Sequence, residues 1–225
     1  MSAISNIGRR LMPRQLQCAL KFAWIFLRKR AHCKLDANYF TVDAQGDPRP
    51  WMTYPCIDYL ETLDFTEASV LEIGGGASTL WWSNRAKSLC TIEEDSKWID
   101  TLRSRLEHSN HHANLIHCPD KEQLGSITQE LNSSADIIVV DGINREAGVS
   151  AAIKNLAPQG MIIVDNSDWL DKPCRELRVA GFIQIDFAGF GPLTAFPWVS
   201  SVFLSRDCKW ARQRKDICPS VLGGK

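Results

Sequence analysis

The residues with the clearest chemical use are an acid, three consecutive glycines and a second acid. The stretch Val70-Leu-Glu-Ile-Gly-Gly-Gly-Ala-Ser-Thr-Leu80 runs a short apolar segment, Ser69 to Ile73, into a helical pattern that starts at Ser78 or Thr79. Glycine puts no Cβ between the backbone and a ligand, and the first amides of a helix are unpaired donors. The junction therefore suits an anionic or zwitterionic, nucleotide-like ligand. A second apolar run, Ser88 to Ile92, ends at Glu93. Strand, glycine loop, helix, strand and acid make the βαβ unit that holds an anionic group at the loop and a ribose at the second acid. A dinucleotide fingerprint would need its third glycine at position 79, where this chain has Thr79.

Two later apolar runs also end in carboxylates: Asp136-Ile-Ile-Val-Val-Asp141-Gly142 and Gly160-Met-Ile-Ile-Val-Asp165-Asn166. Ligands of open α/β sheets gather beyond the carboxyl ends of the strands, so Glu72, Glu93, Asp141, Asp165 and Asn166 are expected to point into one crevice. Arg145, four residues after Asp141, has the fork geometry to clamp a carboxylate or phosphate. His111 and His112 lie on a polar stretch and His117 in a strand. None of the three is spaced from another histidine as a metal ligand would be.

An acid at the strand end followed by Gly-Gly-Gly resembles the first motif of the class I S-adenosylmethionine-dependent methyltransferases, and the resemblance extends from about Trp51 to Ser205. It implies that Glu72, Gly74, Gly75, Gly76 and Ser78 form the cofactor loop and that Glu93 grips the ribose hydroxyls, with Glu94 and Asp95 leaving room for a slip of one residue. It implies further that Asp120 contacts the adenine amino group and that Asp141 closes the fourth strand beside the cofactor. The activity implied is transfer of the methyl of S-adenosylmethionine, with O-methylation of a small molecule or glycan expected. The alternatives are another transferase using the same crevice, such as a spermidine-synthase-like or nucleotide-sugar enzyme, and a non-catalytic, membrane-associated binding protein of the same fold.

Asp141, Asp165 and Asn166 also resemble the oxygen ligands of the metal-dependent catechol-type O-methyltransferases, in which a divalent cation would orient and acidify a hydroxyl. Those enzymes carry a lysine three residues after the first aspartate. Here that position is Asn144, followed by Arg145, so a metal-independent reaction with Asp141 as base and Arg145 as substrate clamp is the expectation.

The elements needed to position these groups alternate between strand and helix, which predicts an α/β fold. Helices are expected from Pro55 through Leu63, from Lys97 to Leu106 and from Val149 to Leu156, the last ended by a Pro158-Gln-Gly160 turn. Phe182 to Phe187 and Val199 to Leu204 read as strands, yet the connection Gly189 to Pro197 has no helical pattern, so they should pair as an antiparallel hairpin. The expected architecture is a Rossmann-like, mostly parallel seven-stranded sheet with a reversed last strand and helices on both faces. Trp51 and Tyr54, between prolines, are candidates for a lid, and the segment 187–196 for reading substrate shape. At least one of Trp81 and Trp82 should face the core.

With 225 residues and 44% hydrophobic content, one good-sized core is expected. The division expected is a basic helical extension over 1–35, a linker over 36–50, the catalytic domain over 51–207 and a tail over 208–225. Eight cysteines without a C-x-x-C pair suggest reduced thiols and a cytoplasmic protein. A formal net charge of zero gives no nucleic-acid footprint, and oligomeric state is not legible.

The charge is unevenly placed: Arg9, Arg10, Arg14, Lys21, Arg28, Lys29, Arg30 and Lys34 precede the first acid, Asp36. Leu16, Leu20, Trp24, Leu27 and Ala31 recur at helical spacing, but the unbroken apolar run is too short to span a bilayer and has no signal-peptide cleavage site. Residues 10–31 could lie on an anionic membrane or pack on the core with the arginines in water. Packing on the core is the expectation.

Overall fold

The computed structural model describes residues 12–109, 111–131, 134–142 and 144–210. Its centre is one seven-stranded sheet in the order β3-β2-β1-β4-β5-β7-β6. The strands are β1 (Ser69–Ile73), β2 (Ser88–Glu93), β3 (Asn114–His117), β4 (Ala135–Val140), β5 (Leu156–Val164), β6 (Ile183–Gly189) and β7 (Trp198–Leu204). β1 to β5 pair in parallel, while β7 lies antiparallel between β5 and β6. The sheet is therefore mostly parallel and closed by a reversed last strand, as the sequence predicts.

Alternation along the strands makes two cores. Val70, Ile137, Val139, Met161, Ile163 and Val202 face one side, against helix α2 (Tyr54–Glu61) and Trp81 and Trp82 of helix α3 (Ala77–Ser83). Leu71, Ile73, Ile138, Val140, Ile162, Val164 and Phe203 face the other, against α5 (Leu124–Glu130), α6 (Arg145–Asn155) and α7 (Asp171–Val179). Both tryptophans are fully enclosed. Helix α4 (Ser96–Ser109) completes a third cluster, in which Leu102 and Leu106 meet Phe40 and Leu80.

Several local expectations need correction. Pro158-Gln-Gly160 does not form a turn. It lies inside β5, where the register against β4 jumps between Ala135↔Leu156 and Ile137↔Met161. The extra residues bulge outward, and a Cβ at Gly160 would stand 2.5 Å from the Asp136 carbonyl oxygen. Helices α5 and α7 escaped the reading because each buries only two or three side chains: Leu124 and Thr128 in one, Pro173, Cys174 and Leu177 in the other.

The stretch 36–50 is not an extended linker. Bridges Leu35↔Thr41 and Val42↔Pro48 fold it back on itself, Phe40 and Val42 are buried, and Asp36 pairs with Arg105 of α4 at 2.8 Å. At the other end Cys208 and Trp210 are buried in the first core, which draws the start of the expected tail into the domain; 211–225 lie outside the described residues. The N-terminal segment forms helix α1 (Arg14–Trp24), which runs into a π-helical turn at Ile25–Lys29, and neither element buries a residue. Packing of this helix on the core, the expected arrangement, is thus replaced by a helix held mainly at its C-terminal end. Phe26 meets Tyr54 and Phe190 edge-on, and the adjoining Arg30 forms a two-pronged ion pair with Asp58.

Candidate active site

Every parallel strand that carries a predicted acid ends at the same edge of the sheet, and the loops after β1, β2, β4 and β5 meet there. Two adjoining cavities open between them. The smaller, about 350 Å³, is walled by Ile73, Ile92, Cys118, Leu124, the Gly74–Gly75 loop and Glu93. The larger, about 560 Å³, is walled by Gly76, Ser78, Arg145, Asp165, Asn166 and a set of aromatic rings. Gly74, Gly75, Trp98, Asp141 and Gly142 border both.

The glycine loop is held from below and from the side. Gly74 has φ +96°, and a Cβ there would come within 2.4 Å of the Gly142 nitrogen, so a glycine is required because two backbones cross. The Gly75 amide donates to Glu93 Oε2 at 2.7 Å, and Glu93 Oε1 accepts from the amides of Glu94 and Asp95 at 2.9 and 3.0 Å. A carboxylate offers about four acceptor sites, so Glu93 retains capacity for a hydroxyl from the cavity it borders.

Glu72 is enclosed beneath the loop, not in the crevice. Its Oε2 accepts from the hydroxyls of Thr79 and Thr91 at 2.6 and 2.9 Å, while Oε1 is buried without a partner. The cause is strand alternation: Glu72 shares the buried face with Val70 and is fully inaccessible. Burial pushes its carboxyl up to about 7, against the neighbouring hydroxyls of Ser78, Thr79 and Thr91, which hold it down. Thr79 is the keystone here, since its hydroxyl also accepts from the Gly76 amide at 3.0 Å.

Asp120 is likewise displaced from its expected role. It is exposed, does not border either cavity, and turns its Oδ1 to the Glu122 amide at 2.9 Å, as an Asx residue opening a helical turn does. Cys118 and Leu124 form the wall at that place.

Asp141, Arg145, Asp165 and Asn166 are brought together. Arg145 Nη2 donates to Asp141 Oδ1 at 2.7 Å and to Asn166 Oδ1 at 2.8 Å. Asp165 Oδ1 accepts from Trp198 Nε1 at 2.9 Å and from the Ser200 hydroxyl. These last two partners arrive because β7 is reversed, which brings its first residues to the edge where the parallel strands end. Asn166 takes the left-handed φ of 53° that turns the chain after β5, a conformation asparagine tolerates. Burial raises the Asp141 carboxyl well above its ordinary range, helped by the neighbouring charge of Asp165 and opposed by Arg145. Burial likewise lifts Asp165 to about 6, against the hydrogen bonds from Ser200 and Trp198. Two carboxylates this close do not ionise independently.

This arrangement does not fit a resident divalent cation. The guanidinium of Arg145 stands between two of the three presumptive ligands, and the third is committed to Trp198 and Ser200, whereas such a cation needs a set of oxygens directed at one point. The same contacts make Arg145 the counter-charge of Asp141 before it can clamp a substrate, although its buried Nε has no partner. Asn144, where the metal-dependent enzymes carry lysine, caps α6 by accepting from the Ala147 amide at 3.3 Å.

The lid expectation divides. Trp51 is half exposed at the rim of the larger cavity, whereas Tyr54 is buried, with its hydroxyl 3.1 Å from His32 Nδ1. The substrate-shape expectation for 187–196 falls on Leu193, Thr194 and Phe196, which line the larger cavity. Sequence reasoning missed Tyr39 and Phe40, assigned to a linker, together with Trp169 and Trp198. It also missed Trp98, whose indole N–H holds the Gly75 carbonyl at 2.9 Å. A tryptophan one turn into the helix after Glu93 was the available signal.

No family model and no curated protein matches the sequence. Among solved structures, a methyltransferase from Pyrococcus furiosus superposes with a TM-score of 0.51 and 18% identity, over 65% of this chain and 79% of that one. A precorrin-6y C5,15-methyltransferase from Geobacter metallireducens gives 0.51 and 15% over 70% and 92%. A precorrin 8W decarboxylase from Methanobacterium thermoautotrophicum gives 0.51 and 17% over 76% and 98%. With this sheet order, reversed last strand and glycine loop, the chain has the fold of the class I S-adenosylmethionine-dependent methyltransferases.

Proposed function

We propose that the protein is an S-adenosylmethionine-dependent methyltransferase that methylates a hydroxyl oxygen of a small molecule or glycan. The observation that carries this reading is the pair of cavities joined at Gly74, Gly75, Trp98, Asp141 and Gly142. One has apolar side chains from Ile73, Ile92 and Leu124 on one side and the acids Glu93, Glu94, Asp95 and Asp141 on the other. The other is a larger chamber with a carboxylate pair, Asp165 buried and Asp141 partly exposed, and aromatic walls. Such a division suits a nucleoside donor on one side and an acceptor on the other, meeting at the shared rim.

The smaller cavity fits the cofactor: Glu93 would take the ribose hydroxyls, the side-chain-free loop would admit close approach, and Ile73, Ile92 and Leu124 would enclose an adenine. When bound, S-adenosylmethionine supplies an electrophilic methyl on a sulfonium. This chain's own groups position the acceptor and receive its proton. The Asp141–Asp165 pair is placed to take that proton, with Arg145 stabilising the carboxylates between turnovers, because one member is poised near neutrality. The rings of Tyr39, Trp51, Trp169 and Phe196 offer flat surfaces on which a sugar or planar acceptor stacks.

Calorimetric titration with S-adenosylmethionine and S-adenosylhomocysteine tests the reading. Saturable binding that Glu93→Ala weakens is expected. Absence of binding, or selective binding of a nicotinamide dinucleotide or a nucleotide sugar, would overturn it.

A further inference from the structure

Helix α1 and the π-helical turn after it leave an apolar surface in water. Leu16, Leu20, Phe22, Trp24 and Leu27 are between 48% and 63% exposed, and neither element buries a residue. Leu16, Leu20, Ala23 and Leu27 follow one another at the spacing of a single helical stripe, with Arg14 and Lys21 on the opposite face. Arg28 and Lys29 extend the positive charge to the C-terminal end, where Lys29 lies over the Trp24 ring. No acid occurs before Asp36.

We propose that this helix docks the protein on an anionic membrane surface, with the leucine stripe and Trp24 at the boundary of headgroups and acyl chains and the basic side chains drawn by the negative surface potential. Charge decides the occupant. A second copy packed stripe to stripe would cover the leucines but leave the cations, on the far face of each helix, with no acid in this segment to offset them. An anionic bilayer covers the stripe and attracts the basic segment through its negative surface potential. No helix among the described residues is long and apolar enough to cross a membrane, so the contact is peripheral.

The attachment of the helix gives the docking a consequence for the site. Phe26 packs on Phe190, and the Cys33 amide donates to the Pro192 carbonyl at 2.7 Å. The same connection supplies Leu193 and Phe196 to the larger cavity. A docked helix therefore holds that cavity beside the lipid surface.

Flotation of the full chain with phosphatidylcholine vesicles, with and without phosphatidylglycerol, tests the inference. Wild type is expected to float with the anionic vesicles only, and less so in high salt. The double variants Leu20→Glu/Leu27→Glu and Lys21→Glu/Arg28→Glu should each bind at least about tenfold more weakly. Their thermal melting should match wild type, because all four positions are exposed. Failure of wild type to float, or equal flotation of both variants, would overturn the proposal. So would a concentration-dependent dimer that Leu20→Glu/Leu27→Glu dissolves while vesicles bind nothing.

Discussion

Replacing Glu72 by glutamine should change how stability depends on pH, and the size of the change follows from its burial. The side chain is inaccessible, one oxygen takes the Thr79 and Thr91 hydroxyls, and the other has no partner, so the fold holds its carboxyl at about 7 against an ordinary 4.5. Between those values the unfolded chain has released the proton and the folded chain has not, so unfolding releases a proton and stability falls as pH rises. The contribution is complete below 4.5 and is lost as pH climbs through about 7. At about 1.4 kcal/mol for each tenfold step, wild type should lose about 2–3 kcal/mol from this group between about pH 5 and about pH 8.

Glutamine keeps an acceptor for both threonines and cannot ionise. Urea unfolding of wild type and Glu72→Gln across that range isolates the effect as the difference between two curves, to which groups elsewhere contribute equally. The curves should nearly meet at the acidic end, with the variant the more stable by about 2–3 kcal/mol at the alkaline end. Parallel curves would refute the assignment of Glu72 as a buried carboxyl that resists ionisation.

Other perturbations separate packing from binding. Gly74→Ala should cost about 2–4 kcal/mol in a thermal melt, because the new Cβ meets the Gly142 backbone at 2.4–2.5 Å at positive φ; an unchanged melting temperature would deny that crossing. From the sequence the missing Cβ at this position reads as room for a ligand, and the geometry adds a backbone collision. Glu93→Ala should weaken S-adenosylmethionine binding by about 1–3 kcal/mol in calorimetry while Glu94→Ala leaves it near wild type; the reverse pattern would move the ribose contact one residue on. Arg145→Met removes the counter-charge of Asp141, so the acidic limb of the turnover profile should move to higher pH. With both side chains about a fifth exposed, denaturant unfolding should show a loss of only about 1–3 kcal/mol. A chelator should leave turnover unchanged, since the Arg145 guanidinium stands where a cation would; loss of activity restored by magnesium would contradict that placement.

The sequence by itself determined the sheet and the location of the crevice. Strand periodicity, the Gly74–Gly76 break and the acids at strand ends are local patterns, and the rule that parallel strands end at one edge converts them into a site. The unpatterned connection 189–197 was enough to predict the reversed last strand. Only the tertiary structure decided what the acids do there. Glu72 and Glu93 both sit near the end of an apolar run, yet Glu72, one residue inside β1, is sealed under the loop, whereas Glu93, the last residue of β2, borders a cavity. Asp165 meets Trp198 and Ser200 across 33 and 35 residues, and Phe40 from an apparent linker closes on Trp98 of α4. Helix α1 shows the same limit, since its pattern demands a partner for the apolar stripe without naming one. Periodicity reports that a face must be covered, and only the packed chain shows what covers it.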